Sequence, residues 1–93
     1  MRFGIFYEHQ LPKPWADGDE EKLLNDAIDQ VVLADKLGLD NVWAVEHHFL
    51  DEYSHSSAPE VFLAACAART ERIRIGHGIK HTPAPYNLSL IHI

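Results

Sequence analysis

Cysteine is almost absent from this chain of 93 residues, in which Cys66 is the single thiol. One cysteine cannot form an internal disulfide, so a reducing compartment fits best. Cys66 lies within the Ala-rich segment 59–68, which predicts a helix. We interpret it as a buried and inert thiol, because free cysteine packs as a small apolar side chain.

Basic residues are also scarce, with 8 Lys and Arg against 14 Asp and Glu and a net charge of -6. A nucleic-acid partner would need a basic face, so we exclude that class of function. No apolar run approaches the roughly 18 residues that span a bilayer. The start of the chain has none of the features of a secretory signal. We therefore expect a cytoplasmic protein with no membrane role.

What the sequence does contain is an alternation of strand and helix patterns. Three apolar segments predict strands, at residues 3–7, 41–45 and 73 to about 79. The segment 42–45 is apolar at consecutive positions, which is typical of a parallel strand covered on both faces. Two helices separate these strands, and connections of this kind are right-handed crossovers between parallel strands. The order predicts an α/β protein.

The ends of the two helices carry recognisable signals. Asp17 and Glu20 have the spacing of a helix cap, and Gly38 is a left-handed cap at the other end. Ser57 and Glu60 repeat the cap spacing before the second helix, which should run to about residue 70. Pro59 stands in its first turn, where a missing amide costs nothing.

Histidines and carboxylates follow each predicted strand. Glu8 and His9 come after the first, Glu46, His47 and His48 after the second, and His77, Gly78 and His81 after the third. Because parallel strands end at the same edge of a sheet, we expect these side chains to share that edge. Chemistry in α/β proteins is concentrated there.

The histidines differ in what they are suited to do. His47 and His48 are neighbours and should point to opposite faces, so one is expected in the site and the other in packing or substrate contact. An imidazole exchanges protons near neutral pH, which suits acid/base work. His9 and His55 are expected to be solvated in loops.

A metal centre is the alternative function for this edge. Glu46, His47, His77 and His81 could converge as ligands, yet no ligand-spaced pair such as H-x-H appears, so our prediction is no metal. Gly76 and Gly78 flank His77 and indicate either a strand bend or a close approach of backbone to a ligand. The spacing lacks the third glycine of a phosphate-binding loop.

Three segments together resemble a known family. These are Met-Arg-Phe-Gly-Ile-Phe at 1–6, Leu-Asp-Asn-Val-Trp-Ala-Val-Glu-His-His-Phe at 39–49, and Thr-Glu-Arg-Ile-Arg-Ile-Gly at 70–76. They resemble the amino-terminal part of the bacterial luciferase-like flavin monooxygenases, over residues 1–87. The resemblance implies the first three β-strands and two helices of a (β/α)8 TIM-type barrel, incomplete in this chain. Residues 88–93 depart from the family pattern, and we expect a tail of doubtful origin on a truncated chain.

The resemblance also implies an activity. The full-length parent would use reduced FMN and O2 to oxygenate a small organic substrate. His47 and His48 would be the catalytic residues, and Glu46, Gly78 and Ile79 would bind the flavin. The bond between Gly78 and Ile79 would be a non-proline cis peptide, which costs about 3 kcal/mol or more.

Several expectations about the parent follow from the same resemblance. The flavin phosphate site would lie in later strands, a flavin reductase would be a partner, and the parent would be a homodimer or heterodimer. A deazaflavin-dependent hydride-transfer enzyme of the same barrel family is the alternative. By itself the chain would be inactive, and a truncated chain with no function of its own is a further possibility.

Overall fold

The structure, a computed structural model, describes residues 1–79. Its elements are β1 at Gly4–Tyr7, α1 at Asp19–Leu37, β2 at Asn41–Ala44, a 3-10 helix at Asp51–Tyr53, α2 at Pro59–Arg69 and β3 at Arg74–His77. The three predicted strands and two predicted helices are confirmed, although each strand is shorter than expected. The 3-10 helix was not predicted, because three residues are too few to produce a periodic pattern.

The strands form one parallel sheet in the order β1-β2-β3. In the last paired row Tyr7 lies beside Ala44, and Ala44 lies beside His77. The carboxyl ends of all three strands therefore meet at one edge, as the sequence predicted. Parallel direction and crossover helices are confirmed, and with them the expected α/β fold class.

Helix α1 begins differently from the prediction and ends as predicted. Its cap is Gly18, in a left-handed conformation with φ of 84°, and Asp17 is not the cap. The side chain that does bond at this end is Asp19, whose carboxylate accepts a hydrogen bond from the N–H of Ala16 at 2.9 Å. This bond ties the loop before the helix to its first turn. At the other end Gly38 has φ of 87°, and the N–H of Leu39 donates to Ala34 at 3.0 Å.

Helix α2 has proline in its first turn, as expected, but no capping box. The cap residue is Ala58, whose side chain cannot accept a hydrogen bond, and Ser57 is not the cap. The N–H of Val61 donates to the Ala58 carbonyl at 3.1 Å, a bond between residues three positions apart. A tight first turn has therefore replaced the side-chain cap.

Both helices pack on one face of the sheet and form the core there. Its buried members come from both helices, from β2 and from the residue before β3: Ala27, Val31, Ala34, Val42, Ala44, Phe62, Leu63, Cys66 and Ile73. Cys66 is fully buried, and burial raises the pKa of its thiol to about 11, in agreement with the expected inert thiol. Neither helix within residues 1–79 combines the length and apolar composition that a bilayer crossing requires.

The opposite face of the sheet is not covered by any described element. Phe6 is 55% exposed and Trp43 is 42% exposed. The expectation that β2 is covered on both faces is therefore wrong for residues 1–79. The reason is geometric, because two right-handed crossovers place both helices on the same side.

Candidate functional site

The candidate site begins where the strand ladder ends. The N–H of Val45 donates to Tyr7 at 3.3 Å, and the N–H of Gly78 donates to Ala44 at 2.7 Å. These bonds carry the sheet one residue past its last paired row. Glu8, Val45 and Gly78 consequently stand next to one another at the carboxyl edge.

The loops after β1 and β2 are hydrogen-bonded to each other. The hydroxyl of Ser54 donates to the Glu8 carbonyl at 2.6 Å, and the N–H of His55 donates to the His9 carbonyl at 2.8 Å. Further along, the N–H of Leu11 donates to Glu52 at 2.9 Å. The two loops thus form one wall beside the edge.

His47 is held at this edge by its backbone. Its N–H donates to the Ser56 carbonyl at 2.9 Å, and the Ser56 hydroxyl returns a hydrogen bond to the Val45 carbonyl. The imidazole is half-buried, with Nε2 at 3.7 Å from Oε2 of Glu8 and the ring 6.2 Å from that of Tyr53. This arrangement places a titratable base beside a carboxylate at the strand ends.

His48 takes a different environment from its neighbour. Its Nε2 lies 2.8 Å from Oε2 of Glu46, whose side chain is buried, while the imidazole itself is exposed. The two adjacent histidines therefore pair with two different carboxylates, as opposite-facing side chains would.

His9 lies in the core, and the expectation that it is solvated is wrong. Its φ of 56° turns the chain back, so the ring stacks on Tyr7 at 5.2 Å and meets the edge of Phe62 at 4.5 Å. It is 4% exposed, and burial lowers its pKa to about 4. Neither ring nitrogen has a hydrogen-bond partner among the described residues. His9 shares the edge but does not face the site.

His55 is likewise not solvated as expected. Its ring meets the edge of the Trp15 ring at 5.1 Å, and Nδ1 lies 3.7 Å from Oε1 of Glu20. The residue is partly buried because the loop from β1 folds over it. No signal in the sequence could have predicted that His55 contacts Trp15 and Glu20, since it is about 35 to 40 residues away from them in the chain.

The two glycines near β3 make room for aromatic rings. A Cβ at Gly76 would lie 2.5 Å from the Trp43 ring, and one at Gly78 would lie 2.7 Å from the Phe6 ring. The glycines therefore leave space for neighbouring aromatic side chains, which neither interpretation from the sequence included, and the approach of backbone to a ligand stays a prediction.

The expected cis bond between Gly78 and Ile79 is not present. Within residues 1–79 the cis peptide is at Lys13–Pro14. A non-proline cis bond costs about 3–4 kcal/mol and persists only where its surroundings enforce it, whereas Gly78 and Ile79 are exposed here.

His77 ends β3 at the same edge, on the side of the sheet that carries Ile75 and the core. Its imidazole is exposed. Among residues 1–79 no three His, Cys, Asp or Glu side chains are grouped as metal ligands. His81, the remaining ligand of the alternative metal site, and the segment 88–93 lie outside the described residues.

A pocket of about 300 Å³ adjoins His47 and His48. Its walls come from both loops and from the first turn of α1, and it is lined by Trp15, Glu20, Phe49, Leu50, Asp51 and the serines 54, 56 and 57 as well as by three histidines. Sequence reasoning missed Trp15 and Glu20. Only the fold shows that the proline-bearing loop before α1 reaches the second strand end.

The sequence of residues 1–87 matches the model of the luciferase-like monooxygenase family. The chain belongs to this family. It is similar to limonene 1,2-monooxygenase of Rhodococcus erythropolis, with 36% identity over 72 residues that make up 75% of this chain and 18% of that protein. It is also similar to 4-hydroxyprotoasukamycin monooxygenase of Streptomyces nodosus subsp. asukaensis, with 41% identity over 49 residues, 53% of this chain and 13% of that protein.

Solved structures of this fold are similar over most of the chain. The oxygenating constituent of 3,6-diketocamphane monooxygenase from Pseudomonas putida, in complex with FMN, has a TM-score of 0.69 at 24% identity and covers 83% of this chain and 20% of its own. Apo-MsnO8 has a TM-score of 0.70 at 28% identity, and the match covers 83% of this chain and 22% of the MsnO8 chain. The family is thus established as predicted, and the chain spans about a fifth of the relatives it matches.

Proposed function

We propose that this chain provides the amino-terminal strands and helices of an FMN-dependent monooxygenase, which uses reduced FMN and O2 to oxygenate a small organic substrate. The observation that carries the proposal is the half-buried imidazole of His47, at the carboxyl edge of a parallel sheet beside Glu8. Active sites of barrels of this type are built at that edge.

His47 is the acid/base of this proposal. An imidazole titrates near neutral pH, so it gives or takes a proton at a reacting atom without large tuning. Its backbone bond to Ser56 holds it at the mouth of the pocket. We assign contact with the substrate to His48, which is exposed beside Glu46 and lines the same pocket.

The residues at the edge fit a flavin. A flavin is a flat aromatic ring with polar edges, and it supplies the redox chemistry when bound. The exposed Phe6 ring lies against Gly78 and offers an apolar surface. Glu46 and His47 follow β2 at the same edge of the sheet and carry polar groups. Glu46, Gly78 and Ile79 would line the flavin, while its phosphate would be held by later strands of the complete barrel.

The open face of the sheet supports the proposal that this chain is one part of a larger barrel. Phe6 and Trp43 present aromatic surface opposite the core, and in a closed barrel that face is filled by side chains of the other strands. Relatives about five times as long as the aligned segment supply such strands. For the complete enzyme we propose a flavin reductase as electron donor, a dimeric assembly and a cytoplasmic location.

The test is a chimera with a family relative. Residues 1–79 replace the aligned segment of the Rhodococcus limonene 1,2-monooxygenase, and FMN binding and oxygenation driven by reduced FMN are measured. We expect FMN to bind, and we expect His47→Ala to reduce turnover by about 100-fold or more while leaving FMN affinity within a few-fold.

The matched control is His77→Ala, which removes an exposed imidazole at the same edge but on the helix side of the sheet. It should leave turnover nearly unchanged. A folded chimera that does not bind FMN would overturn the proposed function. Equal turnover in the parent chimera and in its His47→Ala variant would show that His47 is not the acid/base.

A further inference from the structure

We propose that Glu8 is a positioning residue for His47, whose carboxylate orients the imidazole and stabilises the form that carries a proton on Nε2. The inference rests on the proposed function, in which His47 exchanges protons with the reacting groups. It adds to the proposed site a residue that follows a different strand, and to which the family resemblance assigned no role.

The first support is an oxygen without a donor. Oε2 of Glu8 is buried and has no hydrogen-bond partner within residues 1–79. A buried acceptor left without a donor is costly, and more so when it is charged. Nε2 of His47 lies 3.7 Å away, which is within ion-pair distance and slightly too long for a hydrogen bond. A protonated Nε2 is therefore a donor close to the Glu8 oxygen that has no hydrogen-bond partner.

The second support is that both partners are anchored by their backbones. The Glu8 carbonyl accepts the Ser54 hydroxyl at 2.6 Å, and the His47 N–H donates to Ser56 at 2.9 Å. Ser54 and Ser56 belong to the same loop, so one segment holds both members of the pair. A small movement of either side chain would close the remaining gap.

Other charged or titratable groups near His47 are less well placed. Glu46 is engaged by His48 at 2.8 Å, and Glu20 is near His55 at 3.7 Å. The titratable and charged groups of the two loops and the pocket are Glu8, His9, Lys13, Asp17, Glu20, Glu46, His48, Asp51, Glu52, Tyr53 and His55. Of the carboxylates in this set, Glu8 is the one in ion-pair contact with His47.

The experiment follows the His47 ring by NMR across pH in the isotopically labelled chain, without flavin. Glu8→Gln keeps the size of the side chain and removes its charge. Opposite charges about 4 Å apart attract even when water screens them, so we expect the proton affinity of His47 to fall about fivefold or more. Glu21→Gln removes an equal charge from the exposed first turn of α1 and should leave His47 unchanged.

The signals of His77 in the same spectra report any general loss of structure. An unchanged proton affinity of His47 in folded Glu8→Gln would overturn the proposal. If that variant loses the dispersed spectrum of the folded chain, the same titration is carried out on Glu8→Asp, which keeps the charge but shortens the side chain by one methylene. The proton affinity of His47 should then fall by a smaller factor than in Glu8→Gln. An unchanged proton affinity in folded Glu8→Asp would contradict the proposal. Because no flavin is present, these outcomes are independent of whether the chimera binds FMN.

Discussion

Single residues in this chain take their character from small differences in backbone position. His9 and His47 both follow parallel strands, and yet one is a core residue and the other lines a pocket. The positive φ of His9 turns its ring onto Tyr7 and Phe62. Residue type alone therefore does not separate a structural histidine from a functional one.

The burial of His9 makes folding depend on pH. The unfolded chain takes up the proton at the ordinary pKa of 6.5, and the folded chain only near 4. Between those values the unfolded state binds more protons, so stability is complete above about pH 6.5 and is lost as the pH falls toward 4. The loss in the free energy of unfolding across this pH range is on the order of 3 kcal/mol.

We expect His9→Phe to flatten this pH dependence. The variant keeps a ring between Tyr7 and Phe62 and removes the titrating group. Its positive φ strains phenylalanine equally at every pH, so the readout is the slope of unfolding free energy against pH between 6.5 and 4, from denaturant titrations. His77→Gln, at an exposed position, should keep the parent slope. An unaltered slope in His9→Phe would show that His9 is not buried as a neutral ring.

At the scale of elements, α1 shows which signals in a sequence are reliable. Gly38 predicted the end of the helix, because helices commonly end at a left-handed residue and glycine adopts that conformation freely. The predicted caps at Asp17 and Ser57 were wrong. A cap requires one side-chain rotamer and one loop path, and spacing in the sequence specifies neither.

Gly38→Ala tests the end of α1 in isolation. No atom lies within 4 Å of the Cβ that alanine would add, so the cost comes from the φ of 87° alone. We expect the free energy of unfolding to fall by about 1 kcal/mol. Gly38→Asn should lose less, because asparagine tolerates this conformation. Equal stability of glycine and alanine at this position would contradict the left-handed end.

At the scale of the whole molecule, Asp35 joins parts that lie far apart in sequence. From α1 its carboxylate accepts the N–H groups of Glu71, Arg72 and Ile73 at 3.0, 2.9 and 2.8 Å. These hydrogen bonds lower its pKa below 3.8. The turn between α2 and β3 is thereby fastened to the first helix, which sets where β3 begins.

We expect Asp35→Asn to lower the melting temperature at pH 7, because an amide has one acceptor oxygen for three donors. A carboxyl whose pKa is lowered by folding stabilises the folded state at every pH above its ordinary pKa, which is 3.8 for Asp35. This stabilisation is lost as the pH falls below 3.8. The difference in melting temperature between variant and parent should consequently become smaller in acid, at pH values below the range in which His9 titrates. Thermal melts from about pH 7 to about pH 2.5 measure it. Asp26→Asn, which removes a surface pair with Lys22, should change little.

Much of this architecture follows from local patterns in the amino-acid sequence. The order of strands and helices, their parallel direction and the common edge of Glu8, His47 and Gly78 could be predicted from apolar patterns and crossover geometry. The pairing of Glu8 with His47 could not be predicted, because it depends on how two loops bond to each other. The same holds for Trp15 and Glu20, which are distant in sequence from the second strand.

The sequence by itself determined the fold class, the family and the edge at which chemistry belongs, since each of these depends on local periodicity or on short motifs. Tertiary structure decided which imidazole is buried, which carboxylate faces which histidine, and that one face of the sheet stays open among the described residues. The physical reason is that hydrophobic periodicity is a property of neighbours along the chain. Side-chain pairing depends on loop paths that only long-range hydrogen bonds establish.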